Sequence, residues 1–141
     1  MLREYNVTNI YQGRLETGDD LLAELTKLVK EKGIEAGKVS AIGAVKQATL
    51  SYYDQEKQQY NEKEFNQPLE IISFLGNISL KDGEPIIHAH ISLGDEEGEL
   101  YGGHLASETI VFACEFIIEE YEGKPFKRGY HETTGLPLWQ K

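Results

Sequence analysis

Two histidines one residue apart, in His88-Ala89-His90, are the sharpest chemical signal in the chain. Side chains alternate between the faces of a strand, so both imidazoles project from one face while Ile87, Ala89, Ile91 and Leu93 point to an apolar one. A third histidine, His104, follows the acidic, glycine-flanked turn Gly94-Asp95-Glu96-Glu97-Gly98. If Ile86 to Leu93 and Glu99 to Leu105 pair as a hairpin, a turn centred on Glu96 sets His104 opposite His88. A turn centred on Glu97 sets it opposite His90. Either register gathers three imidazoles on one face, with opposed Cβ atoms about 5 Å apart, whereas a centre between those two residues turns His104 away. Gly102-Gly103 removes side chains just where a bulge or close approach could aim the third ring.

Three neutral imidazoles with an open fourth position suit zinc, and also iron, nickel or cobalt. Spacing alone leaves this reading level with a plainer one, three histidines on a polar, solvated strand face. Glu70 is the second candidate. In Leu69 to Leu80 the strand period puts it on the face of Ile72, Phe74, Ile78 and Leu80, where a carboxylate is disfavoured and could serve as general base or extra ligand. The alternative is a strand-end glutamate that reaches solvent or pairs with a lysine. His131 lies among charges in Lys127-Arg128-Gly129-Tyr130-His131-Glu132 and reads as a surface or packing residue. No serine sits in a nucleophile elbow, and Ala41-Ile42-Gly43-Ala44-Val45 lacks the pattern of a phosphate loop, reading instead as a tightly packed strand or bulge.

The elements that position these residues are mostly strands. β-rich segments run near Tyr5 to Leu15, Val39 to Tyr53, Leu69 to Leu80, Ile86 to Leu93, Glu99 to Leu105 and Ile110 to Glu119. One amphipathic helix, from about Asp19 to Lys32, carries Leu21, Leu22, Leu25, Leu28 and Val29 at helical spacing; Thr17 or Asp19 offers a cap and Gly33 a stop. The architecture expected is a single α+β domain over residues 1–141, a mostly antiparallel sheet with one long helix packed on it. Ile110 to Ile118 is apolar on both sides, which predicts a central strand covered on both faces, by a helix or by another subunit. One helix cannot cover so wide a sheet, so part of the remaining face is expected to meet another chain.

Composition narrows the partners. The 141 residues suffice for one well-cored domain. Twenty-four acidic against fourteen basic residues give a formal net charge of -10, so the average surface repels nucleic acid and anionic lipid. No apolar run approaches a membrane span or a signal peptide, and a cytoplasmic location is expected. Cys114, the single cysteine, reads as a small buried hydrophobe.

The order of these pieces resembles the plants-and-prokaryotes-conserved (PPC) domain across nearly the whole chain. The matching segments are Leu15-Glu16-Thr17-Gly18-Asp19-Asp20, Val39 to Val45 with Ala48-Thr49-Leu50, Leu69 to Ile78, His88 to Leu93, Gly102-Gly103-His104-Leu105 and Tyr130 to Leu136. Family members often carry aspartate where His131 stands. The resemblance implies a homotrimer, often with a histidine-bound metal in prokaryotic members, which raises His88, His90 and His104 as ligands of a divalent metal, zinc first. A small-molecule ligand at that metal, or a protein partner on the trimer, is the implied company. In plants the domain follows AT-hooks, and prokaryotic relatives carry the label of predicted DNA-binding proteins. An AT-hook needs an Arg-Gly-Arg core, and this chain offers only Gly13-Arg14 and Arg128-Gly129, so direct DNA binding is not expected here.

Overall fold

A computed structural model describes residues 1–141. The elements in chain order are β1 (Asn6–Leu15), α1 (Leu21–Lys32), β2 (Gly37–Asp54), β3 (Gln59–Phe65), β4 (Leu69–Lys81), β5 (Glu84–Gly94), β6 (Leu100–Leu105), β7 (Ile110–Glu122), β8 (Lys127–His131) and β9 (Leu136–Trp139). All nine strands join one sheet, antiparallel except for a short parallel pairing of β4 with β8.

The long strand β2 organises this sheet. Its first half pairs with β7 on one side and β4 on the other; its second half pairs with β3 and with the end of β6. Because β4 also pairs with β5, and β5 with β6, the ladder β2–β4–β5–β6 returns to β2. The change of partners happens at bulges around Gly43 and Val45. Gly43 has φ 139°, and a Cβ there would lie 2.1 Å from the Ala113 carbonyl oxygen, so only glycine fits. The stretch from Ala41 to Val45 is thus the tightly packed bulge that its sequence suggests.

The β4–β5 hairpin closes through Asp82-Gly83, with φ 53° and 86°. Both values are positive, as a two-residue turn of matching twist requires. The helix is shorter than the long one expected, 12 residues starting at Leu21. Its N-cap is neither Thr17 nor Asp19 but Asp20, whose carboxylate accepts from the Ala23 N–H at 2.9 Å. Asp19 instead takes the Glu16 N–H, and Thr17 donates to the Phe112 carbonyl. Gly33, in the left-handed conformation, ends the helix. Leu21, Leu25 and Val29 are buried with Ile87, Ala89, Ile91 and Leu93 in one core cluster.

Three strands escaped the sequence reading. β3 is polar and largely exposed, so no alternation marks it, while β8 and β9 are only five and four residues long. The central position of β7 is as expected, between β1 and β2, and within the chain one of its faces is covered. A register shift between Val111 and Ala113 leaves Phe112 exposed, with Ile117 partly so, and Val111, Cys114, Phe116 and Ile118 buried.

If the Gly43 bulge is what lets β2 change partners, Gly43→Ala, which must push a methyl into the Ala113 carbonyl, costs more than about 3 kcal/mol of stability. Urea unfolding followed by circular dichroism measures this; a loss within 1 kcal/mol contradicts it.

Candidate metal centre

β5 and β6 pair with His90 opposite His104, which places the turn centre at Glu97, one of the two productive registers. The acidic turn is self-supporting, since the Asp95 carboxylate accepts from the Glu97 and Glu99 N–H groups and from the Tyr101 hydroxyl. Those bonds hold Asp95 below its ordinary pKa and push Tyr101 up to about 12, the Asp95 bond being the largest cause. The β6 backbone can approach β2 because Gly103 has no side chain: a Cβ there would sit 2.9 Å from the Ser51 carbonyl oxygen. Ser51 in turn pairs with His104.

The three imidazoles converge. Their ligand-capable nitrogens all lie within 4.8 Å of one another. His88 Nε2 and His104 Nδ1 are 3.1 Å apart, and the ring centroids of His90 and His104 are separated by 4.2 Å. A tetrahedral zinc with bonds of about 2.0–2.1 Å needs its nitrogens roughly 3.4 Å apart, a spacing between the 3.1 Å and 4.8 Å found here, so the donor set fits such an ion. His88 and His104 are half-buried, while His90 is exposed and opens the site to solvent. Burial lowers the His88 pKa to about 4, helped by the positive field of Arg128 and the neighbouring rings. His104 is lowered for the same first reason and by His90. Both rings are therefore neutral at pH 7 and able to donate a nitrogen lone pair.

The surroundings include groups that spacing did not reveal. Tyr60 of β3 packs edge-on against His104 with centroids 5.3 Å apart. Asn77, opposite His88 in the β4–β5 ladder, accepts from Arg128 Nη2 at 2.8 Å. Arg128 comes from β8, a strand short enough to leave no periodic signature. Glu70 does not join the site. A bulge between Ile71 and Ser73 puts Glu70 and Ile72 on the exposed side and Leu69, Ile71 and Phe74 in the core, so the apolar surroundings expected for its carboxyl are missing. It lines a separate groove with Lys46, Asp95 and Phe112. His131 is exposed, its Nδ1 3.1 Å from Thr134 Oγ1.

Comparison with known proteins bears on this arrangement. The profile of the Plants and Prokaryotes Conserved (PCC, also written PPC) domain matches residues 2–122. The chain belongs to this family. A metal-containing protein from Archaeoglobus fulgidus is 45% identical, superimposes with a TM-score of 0.95 and is covered over 99% of its length by the whole of this chain. A PPC protein from Pyrococcus horikoshii is 37% identical with a TM-score of 0.94, matched over all of this chain and 98% of the other. A Bacteroides thetaiotaomicron protein, named as a candidate DNA-binding protein, is 28% identical with a TM-score of 0.87 over 96% of each chain. Among curated relatives, the bifunctional protein GlmU of a Synechococcus strain is 32% identical over 128 residues. That stretch is 89% of this PPC chain but 19% of the relative, so the chain spans about a fifth of its length.

The depressed His88 pKa fixes a sign. The unfolded chain takes the proton near pH 6.5 and the folded one only near 4, so this contribution to stability is intact above 6.5 and lost as pH falls through that window. The urea midpoint of metal-free protein is expected to drop between pH 6.5 and 4.5, with a shallower dependence in His88→Gln. Equal slopes in the two proteins contradict the assignment.

Proposed function

We propose that this protein is a homotrimeric metal-binding PPC protein whose His88, His90 and His104 hold a divalent transition metal, zinc first, with a coordination position open to a small ligand. The observation that carries the reading is the convergence of three ring nitrogens within 4.8 Å on two paired strands. The name of the Archaeoglobus fulgidus relative, a metal-containing protein, supports it. A metal held by three imidazoles supplies Lewis-acid chemistry at its open position. What the chain itself contributes is a paired hairpin, the half-buried rings of His88 and His104 held neutral, and an exposed His90 side through which a ligand enters. Glu70 has no part in this reading.

Self-association rests on the face of the sheet opposite the helix. Ile10, Ile42, Leu75 and Phe112 are each more than half exposed there, and Ile117 lies between them. Ser40 pairs with both Ile117 and Leu75, and Leu75 pairs with His90, so an apolar band runs from β7 across to the metal site. A patch of this kind on a small protein is a surface that another chain covers. No helix is long and apolar enough to cross a membrane, and a cytoplasmic trimer is the form this reading describes.

DNA association, favoured by the name of the Bacteroides thetaiotaomicron relative, is the second reading. A net charge of -10 works against direct contact with phosphates, which leaves association through a partner protein bound to the trimer, with any metal structural.

Metal analysis of tag-free protein purified without chelators should find about one transition metal per chain, absent from the His88→Ala/His90→Ala double variant. Wild type that neither carries nor rebinds a metal contradicts the first reading. In analytical ultracentrifugation the chain should sediment as a trimer, and Ile117→Lys, which places a charge in the band, should shift it towards monomer. A monomeric wild type contradicts the assembly.

A further inference from the structure

Arg128 lies beside the histidine cluster on the face of β4 that carries Asn77 and Ser79, and its positive charge acts on His88. Its Nε donates to Ser79 Oγ at 2.9 Å, Nη1 to the Pro137 carbonyl at 3.1 Å and Nη2 to Asn77 Oδ1 at 2.8 Å. All three acceptors are neutral, and none of the chain's ion pairs includes it. A guanidinium has five N–H donors, so these three bonds leave two, one on each Nη. The group is half-buried, and burial lowers its pKa.

Its position is fixed relative to the metal site. Asn77, which holds Nη2, is the direct cross-strand partner of His88, so their side chains share one face about 5 Å apart at Cβ. Tyr60, packed on His104, is near enough that its charge and that of the guanidinium act on each other. No aspartate or glutamate lines the two grooves that contain His88, His90 and His104. In a chain with twenty-four acidic residues, this is a pocket kept free of negative charge. With a divalent ion on neutral imidazoles, the site gathers three positive charges and no counter-ion, an arrangement that an anion completes.

We propose that the ligand of this site is a small molecule bearing a carboxylate or phosphate oxyanion, recognised jointly by the metal position and the free N–H donors of Arg128, and that Arg128 sets its chemical class. Planar guanidinium donors suit the paired oxygens of such groups. The inference rests on the metal reading above, since without the ion the imidazoles offer an anion little.

Full-length protein loaded with cobalt(II) tests both together, because the visible bands of cobalt report a new ligand. Wild type, Arg128→Gln and Arg128→Lys are titrated with oxalate, inorganic phosphate and, as a neutral ligand, imidazole. Wild type should bind oxalate or phosphate, whichever is tighter identifying the class. Arg128→Gln should weaken that binding tenfold or more and leave imidazole unchanged, with Arg128→Lys in between. Equal anion affinity in all three proteins overturns the role of Arg128 while leaving the metal site standing. Failure of wild type to take up cobalt overturns the metal reading and this one with it. Because Arg128 also ties β8 to β4, the wild-type arm stands alone if Arg128→Gln does not fold. Cobalt-loaded wild type that binds imidazole but neither anion overturns the proposal.

Discussion

Everything at the site depends on one strand pairing with different neighbours along its length. β2 lies between β7 and β4 through the bulges at Gly43 and Val45, and from Ala48 onward its second half meets β3 and β6. The change requires the Gly43 backbone to come so near the Ala113 carbonyl that no side chain fits. Beyond it, Ser51 reaches His104, and Gly103 lets the two backbones meet. β3, carried on the same half of β2, delivers Tyr60 to the outer side of the His104 ring. A straight β2 would leave β6 as an edge and its histidine without support. The helix holds the opposite side of this arrangement, locking Ile87, Ala89, Ile91 and Leu93 in the core and so fixing which way His88 and His90 point.

The electrostatics run against the rest of the molecule. The surface is strongly acidic, yet the histidine pocket contains neutral rings, a tyrosine and an arginine. Partial burial and the nearby guanidinium both disfavour protonated His88, which leaves its nitrogen lone pair free. Under the reading proposed above, the same guanidinium draws the anion that the ion accepts. In that reading metal binding and anion binding share a single balance of charge, one that a carboxylate at this position would cancel.

Much of this was legible in the sequence, for physical reasons that also explain the gaps. The alternation through His88-Ala89-His90 fixes the face, and only two turn centres bring His104 to it; the structure adopts the one at Glu97. The helix is visible because its leucines repeat at 3.6 residues, and its stop because Gly33 can take the left-handed conformation. Its start was misplaced by two residues because Thr17, Asp19 and Asp20 are all competent caps, and only the contact of Asp20 with the β7 start decides among them. Glu70 was misjudged because a bulge inverts the strand period after Ile71, which no local pattern announces. Arg128 and Tyr60 stood on strands too short or too polar to register, and their relation to His88 and His104 is long-range. Such pairings follow from topology, and topology is the part that periodicity does not encode.

The central claim is that three imidazole nitrogens bind one ion. X-ray absorption at the metal edge, on protein reconstituted with one zinc per chain, tests it most directly. The account predicts a shell of nitrogen or oxygen at about 2.0–2.1 Å with the outer-shell scattering of three imidazole rings. A sulfur shell at about 2.3 Å, or a shell of oxygen without imidazole scattering, would place the metal elsewhere and contradict it.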